Sequence, residues 1–394
     1  MITVVILSPV LVLLAMLLLD SLFRAIFLGV AWRSVKEPSP ELTPQEGKSK
    51  IAYLFPANNE ESVVEESVAG LSVPTHVIAD NCQDKTAEVA RRVGARVWER
   101  REENGGGKAG ALRWFFKVAA TEIASYSRFA IFDADSQVAP DFADQLSVSP
   151  YDKMPVVQGF VSPIVSSTSP VARLAAYSEI LSQLIDDAAR VRLGWPVPLR
   201  GTGMVFDASL LPALLSDLRT KVEDVEMTIQ LVRRGIHPQF LCHAVVGDPK
   251  PGGIHGVAAQ RARWEQGRRQ VLRYYWRDLV CLFFSGHPGL MALSLSVVLR
   301  PRALVLLFKV LAAFILGIVA WGHGRLWSSL ALMVWLAIVI DGLYYLIGLA
   351  FVKERRAYAL ALLVAPTYLF MWIWSQVWSL VSRSAWLSVR NPRN

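Results

Sequence analysis

Apolar and polar positions divide the chain into unlike stretches. Residues 2–19 are almost uncharged, mixed polar sequence runs from Pro38 to about Gly267, and long apolar runs return at 303–321, 326–352 and 358–380. A bilayer core is crossed by about 20 apolar helical residues, so each apolar run is long enough for a span. Trp and Tyr stand near the ends of the later runs, as at a membrane interface. The positive residues of the first run, Arg24, Arg33 and Lys36, lie downstream of it, whereas a cleaved signal peptide carries them upstream. A retained anchor with its N-terminus outside is therefore expected.

The organisation that follows is an anchor (1–35), a Pro-rich linker (36–50), a soluble domain (51–270), interfacial helices (271–300) and a C-terminal membrane region (301–394) of about three segments. The run Lys353-Glu354-Arg355-Arg356 belongs on the cytoplasmic side by the positive-inside rule. A complete last span would then carry Arg383, Arg390 and Arg393 outward, and Pro366 offers a re-entrant or interfacial final segment instead.

Inside the soluble domain, β-rich runs at 51–56, 76–80, 96–98, 129–132, 156–161, 204–206 and 239–246 alternate with helical patterns, among them 59–71 and 86–93. Alternation of this kind predicts an α/β domain with a Rossmann-like, mostly parallel sheet. Between 171 and 193, Leu174, Tyr177, Ile180, Leu181, Leu184 and Ile185 fall at helical spacing. That helix either packs the domain against the membrane region or is an ordinary buried domain helix. Arg268, Arg269 and Arg273 among Tyr274, Tyr275 and Trp276 suit an interfacial helix. Residues 249–256, with three glycines and two prolines, suit a gating loop or a plain linker.

Composition narrows the function classes. Hydrophobic residues make up 53% of the 394, and the formal net charge is +8. In a chain with such apolar runs that charge is directed at an anionic lipid surface, not at nucleic acid. Cys82, Cys242 and Cys281 are scattered, which argues against a disulfide framework or a zinc site and suits a reducing compartment.

In open α/β sheets ligands sit beyond the carboxyl ends of the strands. Here those positions are acidic. Asp133-Ala134-Asp135 places two carboxylates on the same side of an extended segment, a geometry suited to one hard divalent cation, Mg2+ or Mn2+, carrying a diphosphate. Pro56 to Glu61 and Asp80 to Thr86 are, by themselves, turn chemistry and helix caps as readily as ligand contacts. Glu223-Asp224 opens a helical pattern and is either an acidic first turn or a placed base. Gln260-Arg261-Ala262-Arg263-Trp264 offers a basic helix face, or a cation for phosphate beside an aromatic face for a sugar.

Taken in order, these motifs resemble the family 2 inverting glycosyltransferases, the group that includes cellulose, hyaluronan and exopolysaccharide synthesis enzymes. The resemblance runs from about Ile51 to Gln270 and rests on Pro56 to Glu61, Asp80 to Asp84, Gly107 to Leu112, Asp133-Ala134-Asp135, Gly201-Thr202-Gly203-Met204, Glu223-Asp224 and the Gln260 to Trp264 signature. Asn58-Asn59 and Val222 depart from the usual pattern. The resemblance implies a GT-A catalytic domain joined to an α-helical transmembrane region. It implies donor contacts from Asp80, Lys108, Asp133, Asp135 and Arg263, with Asp135 and Asp133 addressing the metal and Asp224 acting as general base. It also implies an acceptor pocket of Gly201, Thr202, Glu223, Gln260 and Trp264.

The expected activity is inverting transfer of a sugar from a nucleoside-diphosphate sugar, a UDP-sugar by preference, to a lipid-linked or membrane-bound glycan in surface polysaccharide assembly. Membrane lipids and polysaccharide-assembly proteins are the expected partners, at the cytoplasmic face of a bacterial inner membrane. A processive synthase extruding a β-linked polymer, a ceramide or diacylglycerol glycosyltransferase, and a non-catalytic nucleotide-sugar sensor are the competing readings.

Overall fold

A computed structural model of the chain describes residues 2–36, 50–102, 106–165, 169–250, 253–323 and 325–381. Most of the 36–50 linker and the C-terminal Arg383, Arg390 and Arg393 lie outside the described residues.

The opening apolar run forms helix α1 (Ile2–Lys36), whose stretch Val10–Arg33 is long and apolar enough to cross a membrane. That stretch extends well past residue 19, the expected end, and the reason is local. Arg24 does not flank the span but lies buried within it, paired with Asp20 at 3.1 Å and Asp341 at 3.4 Å.

The soluble domain begins with β1 (Ile51–Ala57), α2 (Val64–Val68), β2 (Thr75–Asp80), α3 (Thr86–Arg92) and β3 (Arg96–Arg100). Then come α4 (Gly107–Val118), α5 (Ala120–Ile123), β4 (Arg128–Ile131), β5 (Gln137–Val138), α6 (Phe142–Leu146) and β6 (Val156–Ile164). After α7 (Pro170–Leu181), a π-helical stretch (Ser182–Asp187) and α8 (Ala188–Arg192), the chain adds β7 (Met204–Asp207), α9 (Leu211–Ser216), α10 (Glu223–Arg233) and β8 (Gln239–Pro249).

Among the described residues these strands form one eight-stranded sheet in the order β3-β2-β1-β4-β7-β6-β8-β5. The expected parallel arrangement occupies β3-β2-β1-β4, while β7 runs antiparallel to both β4 and β6, so the whole sheet is mixed. Alternation along the strands builds two cores: Ala52 and Leu54 of β1 pack on one face with Leu112 and Phe115, and Tyr53 and Phe55 on the other with Phe132 and Phe142.

The helix expected over 59–71 shrinks to α2, because Asn59 takes a left-handed backbone (φ 55), tolerable for asparagine but incompatible with a continuing helix. The neighbouring backbone binds the next loop instead. Glu60 N–H donates to Thr86 Oγ1 at 2.7 Å and Gln83 N–H to Asn59 Oδ1 at 2.8 Å.

Beyond β8 the chain enters α11 (Gly253–Phe283), whose backbone breaks at Tyr275, then α12 (Pro288–Val298), α13 (Arg302–His323), α14 (Arg325–Gly348), α15 (Arg355–Leu362) and α16 (Ala365–Val381). The 249–256 loop is thereby corrected: β8 reaches Pro249 and α11 begins at Gly253, with 251–252 outside the described residues. Residues 268–276 continue the same α11 that carries Gln260 to Trp264; Tyr274 and Trp276 are exposed on it while Tyr275 is buried.

Arg302–Trp321 and Arg325–Phe351 are each long and apolar enough to span a membrane, and α15 and α16 form a pair bent by 64° at their break. A break there accords with the residue 366 proline as the point where the last segment departs from a straight span. Phe314, Trp321 and Leu332 present exposed apolar surface along this region. Where α1, α13 and α14 meet, the buried Lys309 ammonium binds Asp20 at 3.0 Å, Ser21 at 2.7 Å and Asp341 at 2.8 Å. Helix α7 joins the two regions: Leu174, Tyr177 and Leu181 share a core with Phe23 and Phe27 of α1, Tyr344 of α14 and Trp372 of α16.

Candidate active site

Because β1, β2 and β4 run parallel, their carboxyl ends open on one edge, and the loops leaving them carry Asp80 and Asp133-Ala134-Asp135 to it. Strand β7 pairs antiparallel with β4, Met204 opposite Ile131, so Gly201-Thr202-Gly203 just before it reaches the same edge. The acidic start of α10 meets them there.

Lys108 is the hub. From the first turn of α4 its ammonium donates to Asp133 Oδ1 at 2.5 Å and to the Gly201 carbonyl at 2.5 Å, and lies 3.6 Å from Glu223 Oε1. Burial works against the lysine charge, but Asp133 and Glu223 outweigh it and raise the pKa above the usual lysine value. One side chain therefore ties together three segments that lie far apart in the sequence.

The loop before β7 is built for close approach. Gly201 and Gly203 both have positive φ (83 and 65), and a Cβ at Gly203 would lie 2.8 Å from Val246 Cγ1. Thr202 is buried; its hydroxyl accepts from Asp133 N–H at 3.2 Å and shares a 2.8 Å hydrogen bond with Ser136. Gln158, absent from the sequence motifs, clamps this loop by donating to Thr202 O at 2.9 Å and accepting from Arg200 N–H at 2.9 Å.

Asp224 Oδ1 accepts the Val225 N–H at 2.8 Å, and its Oδ2 lies 3.8 Å from where a side chain on Gly201 would begin. Burial raises its pKa above the carboxylate norm, although the Val225 N–H, Lys108 and Arg300 partly offset this. Glu223 is pushed up to about 7, by burial first, against Lys108 and with the help of Asp224 and Asp133. Two neighbouring carboxylates with raised pKa values are suited to accepting a proton from a bound hydroxyl.

Asp135 shows what this edge lacks internally. Burial, then the carboxylates of Asp133, Asp248 and Glu60, push its pKa up to about 7. Asp133 has Lys108, whereas Asp135 is surrounded by like charge. Among the described residues no three His, Cys, Asp or Glu side chains are arranged to enclose a metal ion. Two carboxylates fit a cation of the Mg2+ type, which takes one or two protein carboxylates and completes its shell with substrate phosphates and water.

Trp264 joins the same site through a charged relay. Lys250 lies 5.8 Å above the Trp264 ring and binds Asp248 Oδ2 at 2.6 Å and Glu179 Oε2 at 2.6 Å, and Asp248 is one of the carboxylates acting on Asp135. The arginines of this segment divide differently from expectation. Arg263 is exposed, while Arg261 is buried, 4.4 Å over the Trp372 ring, 5.3 Å over Tyr368 and 5.8 Å over Trp264. Arg261 thus seats Trp264 against α16. Gln260 is half-buried one turn before Trp264 on α11.

Asp80 is held by two neighbours at the end of its strand. Its Oδ1 accepts from Arg100 Nη1 at 2.9 Å, and its carbonyl accepts from Asn58 Nδ2 at 2.6 Å, so Arg100 holds its carboxylate in place at the end of β2. Glu226, also outside the sequence motifs, is buried and accepts from Arg219 N–H, Thr220 N–H and the Tyr275 hydroxyl at 2.8, 2.7 and 2.6 Å, fixing the start of α10 to α11.

Comparison with known proteins bears on this arrangement. The family model described as glycosyltransferase-like family 2 matches residues 50–267, more than half of the chain. Mannosyltransferase PcManGT from Pyrobaculum calidifontis, solved in complex with GDP-Man and Mn2+, has a similar fold: TM-score 0.53 at 19% identity, covering 93% of this chain and 99% of that one. The glucosyl-3-phosphoglycerate synthase of Mycobacterium tuberculosis, solved with Mn2+, UDP-Glc and glycerol 3-phosphate, aligns at TM-score 0.41 and 21% identity over 60% of this chain and 85% of that one. No curated protein sequence matches the chain.

Proposed function

Since the chain belongs to the glycosyltransferase-like family 2, we propose that it moves a hexose from a UDP-sugar, with inversion, onto a lipid-linked or membrane-bound glycan in surface polysaccharide assembly. The observation carrying this reading is the contact of Lys108 with Asp133, Gly201 and Glu223, which brings a diphosphate-suited edge within electrostatic reach of Asp224. In this proposal Asp224 takes the proton of the acceptor hydroxyl as its oxygen attacks the anomeric carbon. The carbon–oxygen bond to the nucleoside diphosphate breaks in the same displacement, and Lys108 lies where it would meet the departing negative charge.

Asp135, with Asp133, would hold a divalent cation, which when bound supplies charge neutralisation for the diphosphate. The neighbour from Pyrobaculum calidifontis was solved with Mn2+, and the crowding of carboxylates around Asp135 supports the same requirement here. Trp264, held by Arg261 and Lys250, offers a face on which the acceptor's terminal sugar would stack. A membrane-borne acceptor is supported by three helices long and apolar enough to cross a membrane and by the packing of α7 against that region. The positive run at 353–356 favours the cytoplasmic side of a bacterial inner membrane for the site.

The test is a panel of nucleotide sugars incubated with the purified protein and a lipid-linked oligosaccharide, with mass analysis of the product. A single hexose increment with UDP release is expected. A long polymer made without lipid acceptor would replace this reading with a processive synthase, and absence of any donor turnover would overturn it.

A further inference from the structure

A cavity of about 40 Å3 lies among α1, the π-helical stretch, α12 and the start of α13. Five arginines line it, Arg24, Arg190, Arg200, Arg300 and Arg302, against three aspartates, Asp20, Asp186 and Asp187. The aspartates are already committed. Asp187 pairs with Arg200, Asp186 with Arg302 and the Tyr344 hydroxyl, and Asp20 with Arg24 and Lys309. Arg190 lies 5.0 Å over the Phe27 ring and donates to the Pro196 carbonyl at 3.2 Å.

Arg300 is left over. Among the described residues it makes no direct hydrogen bond or ion pair; Arg200 and Arg302 repel it, and Asp224 and Asp187 attract it only at longer range. Its side chain is exposed to solvent, and nearby protein together with the two arginines pushes its pKa down to about 10 against the pull of Asp224 and Asp187. A space lined by five arginines and three aspartates favours an anion, and arginine clusters match phosphate oxygens in geometry as well as charge.

Size and surroundings narrow the anion. A water occupies roughly 10–15 Å3 on this scale, so the cavity holds about three water-sized groups, the scale of one phosphate. Its remaining wall is mainly apolar, with Phe23 and Phe27 of α1, Leu295 of α12 and Leu299 just after it, and carries Ser182 and Ser296 as its polar members. Because α1 contains a stretch able to cross a membrane, that wall leads from a polar pocket toward lipid. Arg300 also acts electrostatically on Asp224, which puts an anion bound here within electrostatic reach of the proposed base.

We propose that this cavity binds the phosphate of a lipid-anchored acceptor, with Arg300 as its main ligand and the Phe23, Phe27, Leu295 and Leu299 wall receiving the first carbons of the lipid chain. The acceptor role rests on Asp224 being the base of glycosyl transfer; the phosphate site itself rests on the cavity alone.

The full-length protein in detergent would be titrated with phytanyl phosphate, the neutral alcohol phytanol, inorganic phosphate and, separately, UDP. Phytanyl phosphate should bind the wild type and bind Arg300→Gln at least about tenfold more weakly, the loss expected for a charge-assisted contact. Arg300→Lys should recover part of that loss, and UDP affinity should be unchanged in both variants, which certifies their folding. Equal binding of phytanol and phytanyl phosphate, or an undiminished Arg300→Gln, would overturn the proposal. Inorganic phosphate binding as tightly as phytanyl phosphate would overturn the lipid source. Failure of the wild type to bind UDP would remove the glycosyl-transfer reading, and the acceptor role with it, while a preserved preference for phytanyl phosphate would still support the cavity as a lipid-phosphate site.

Discussion

Replacing Asp224 by asparagine separates chemistry from binding. Asparagine matches the size of aspartate, and its Oδ1 can accept the Val225 N–H that Asp224 receives at 2.8 Å. What disappears is the charge and the capacity to take a proton. General-base assistance is worth about 100- to 10,000-fold, and at about 1.36 kcal/mol per tenfold the barrier should rise by about 3–5 kcal/mol. Donor affinity should survive, because the direct partners of Lys108 are Asp133, Gly201 and Glu223. Folding should survive too: burial disfavours the ionised Asp224, so the neutral amide relieves a cost and the apparent melting temperature should be equal or higher. Steady-state sugar transfer measured beside UDP binding on the same preparation reads both quantities. Turnover within about threefold of wild type would remove Asp224 from the mechanism, and parallel loss of UDP binding would make it part of the donor pocket instead.

Other consequences can be measured directly. Since burial raises the pKa of Asp224 and places that of Glu223 at about 7, the base is lost by protonation as pH falls. kcat/KM should therefore decline below neutrality, and a profile flat to pH 5 would contradict a base on this pair. Exhaustive chelation should abolish transfer and added Mn2+ or Mg2+ restore it; full activity without metal would remove the cation role of Asp135. Tyr275→Phe deletes the 2.6 Å hydrogen bond to buried Glu226, a loss of about 1–3 kcal/mol, and should lower thermal stability and kcat by loosening the start of α10; unchanged values of both would make that bond idle. Lys309→Met leaves Asp20 and Asp341 sharing Arg24 alone, one buried cation short, a change of up to about 3–5 kcal/mol. It should reduce recovery of folded protein from membranes, with Lys309→Met/Asp341→Asn less damaged than the single variant.

The parts of the molecule legible in the sequence are those whose signal is local. Asp133-Ala134-Asp135 needs only a strand end to be aimed correctly, and Gly201-Thr202-Gly203 declares a backbone that side chains would block. The long apolar runs carry their own length. Helix α2 was less legible, because the left-handed turn at Asn59 is set by partners on the 80–86 loop and by nothing in its own periodicity. The choice between Arg261 and Arg263 was likewise closed to sequence. Both stand in one five-residue motif, and which one turns inward depends on Tyr368 and Trp372, a hundred residues later on α16.

The arginine cavity carries this reasoning to its limit. Arg24, the pair Arg190 and Arg200, and the pair Arg300 and Arg302 come from three distant regions of the chain, and along the sequence several of them read as ordinary charges flanking apolar runs, the pattern expected at any cytoplasmic membrane boundary. Only the packing of α1 and α12 against the π-helical stretch places them around one space, and only the pairing of each aspartate shows that Arg300 remains without an opposite charge in direct contact. A motif search favours residues that act beside their sequence neighbours, which describes the donor side of this site. An acceptor that reaches the site from a lipid layer must be met where the catalytic domain touches the membrane helices, so its contacts are drawn from both regions. Functional residues on that side are found by asking which charges the fold leaves unbalanced.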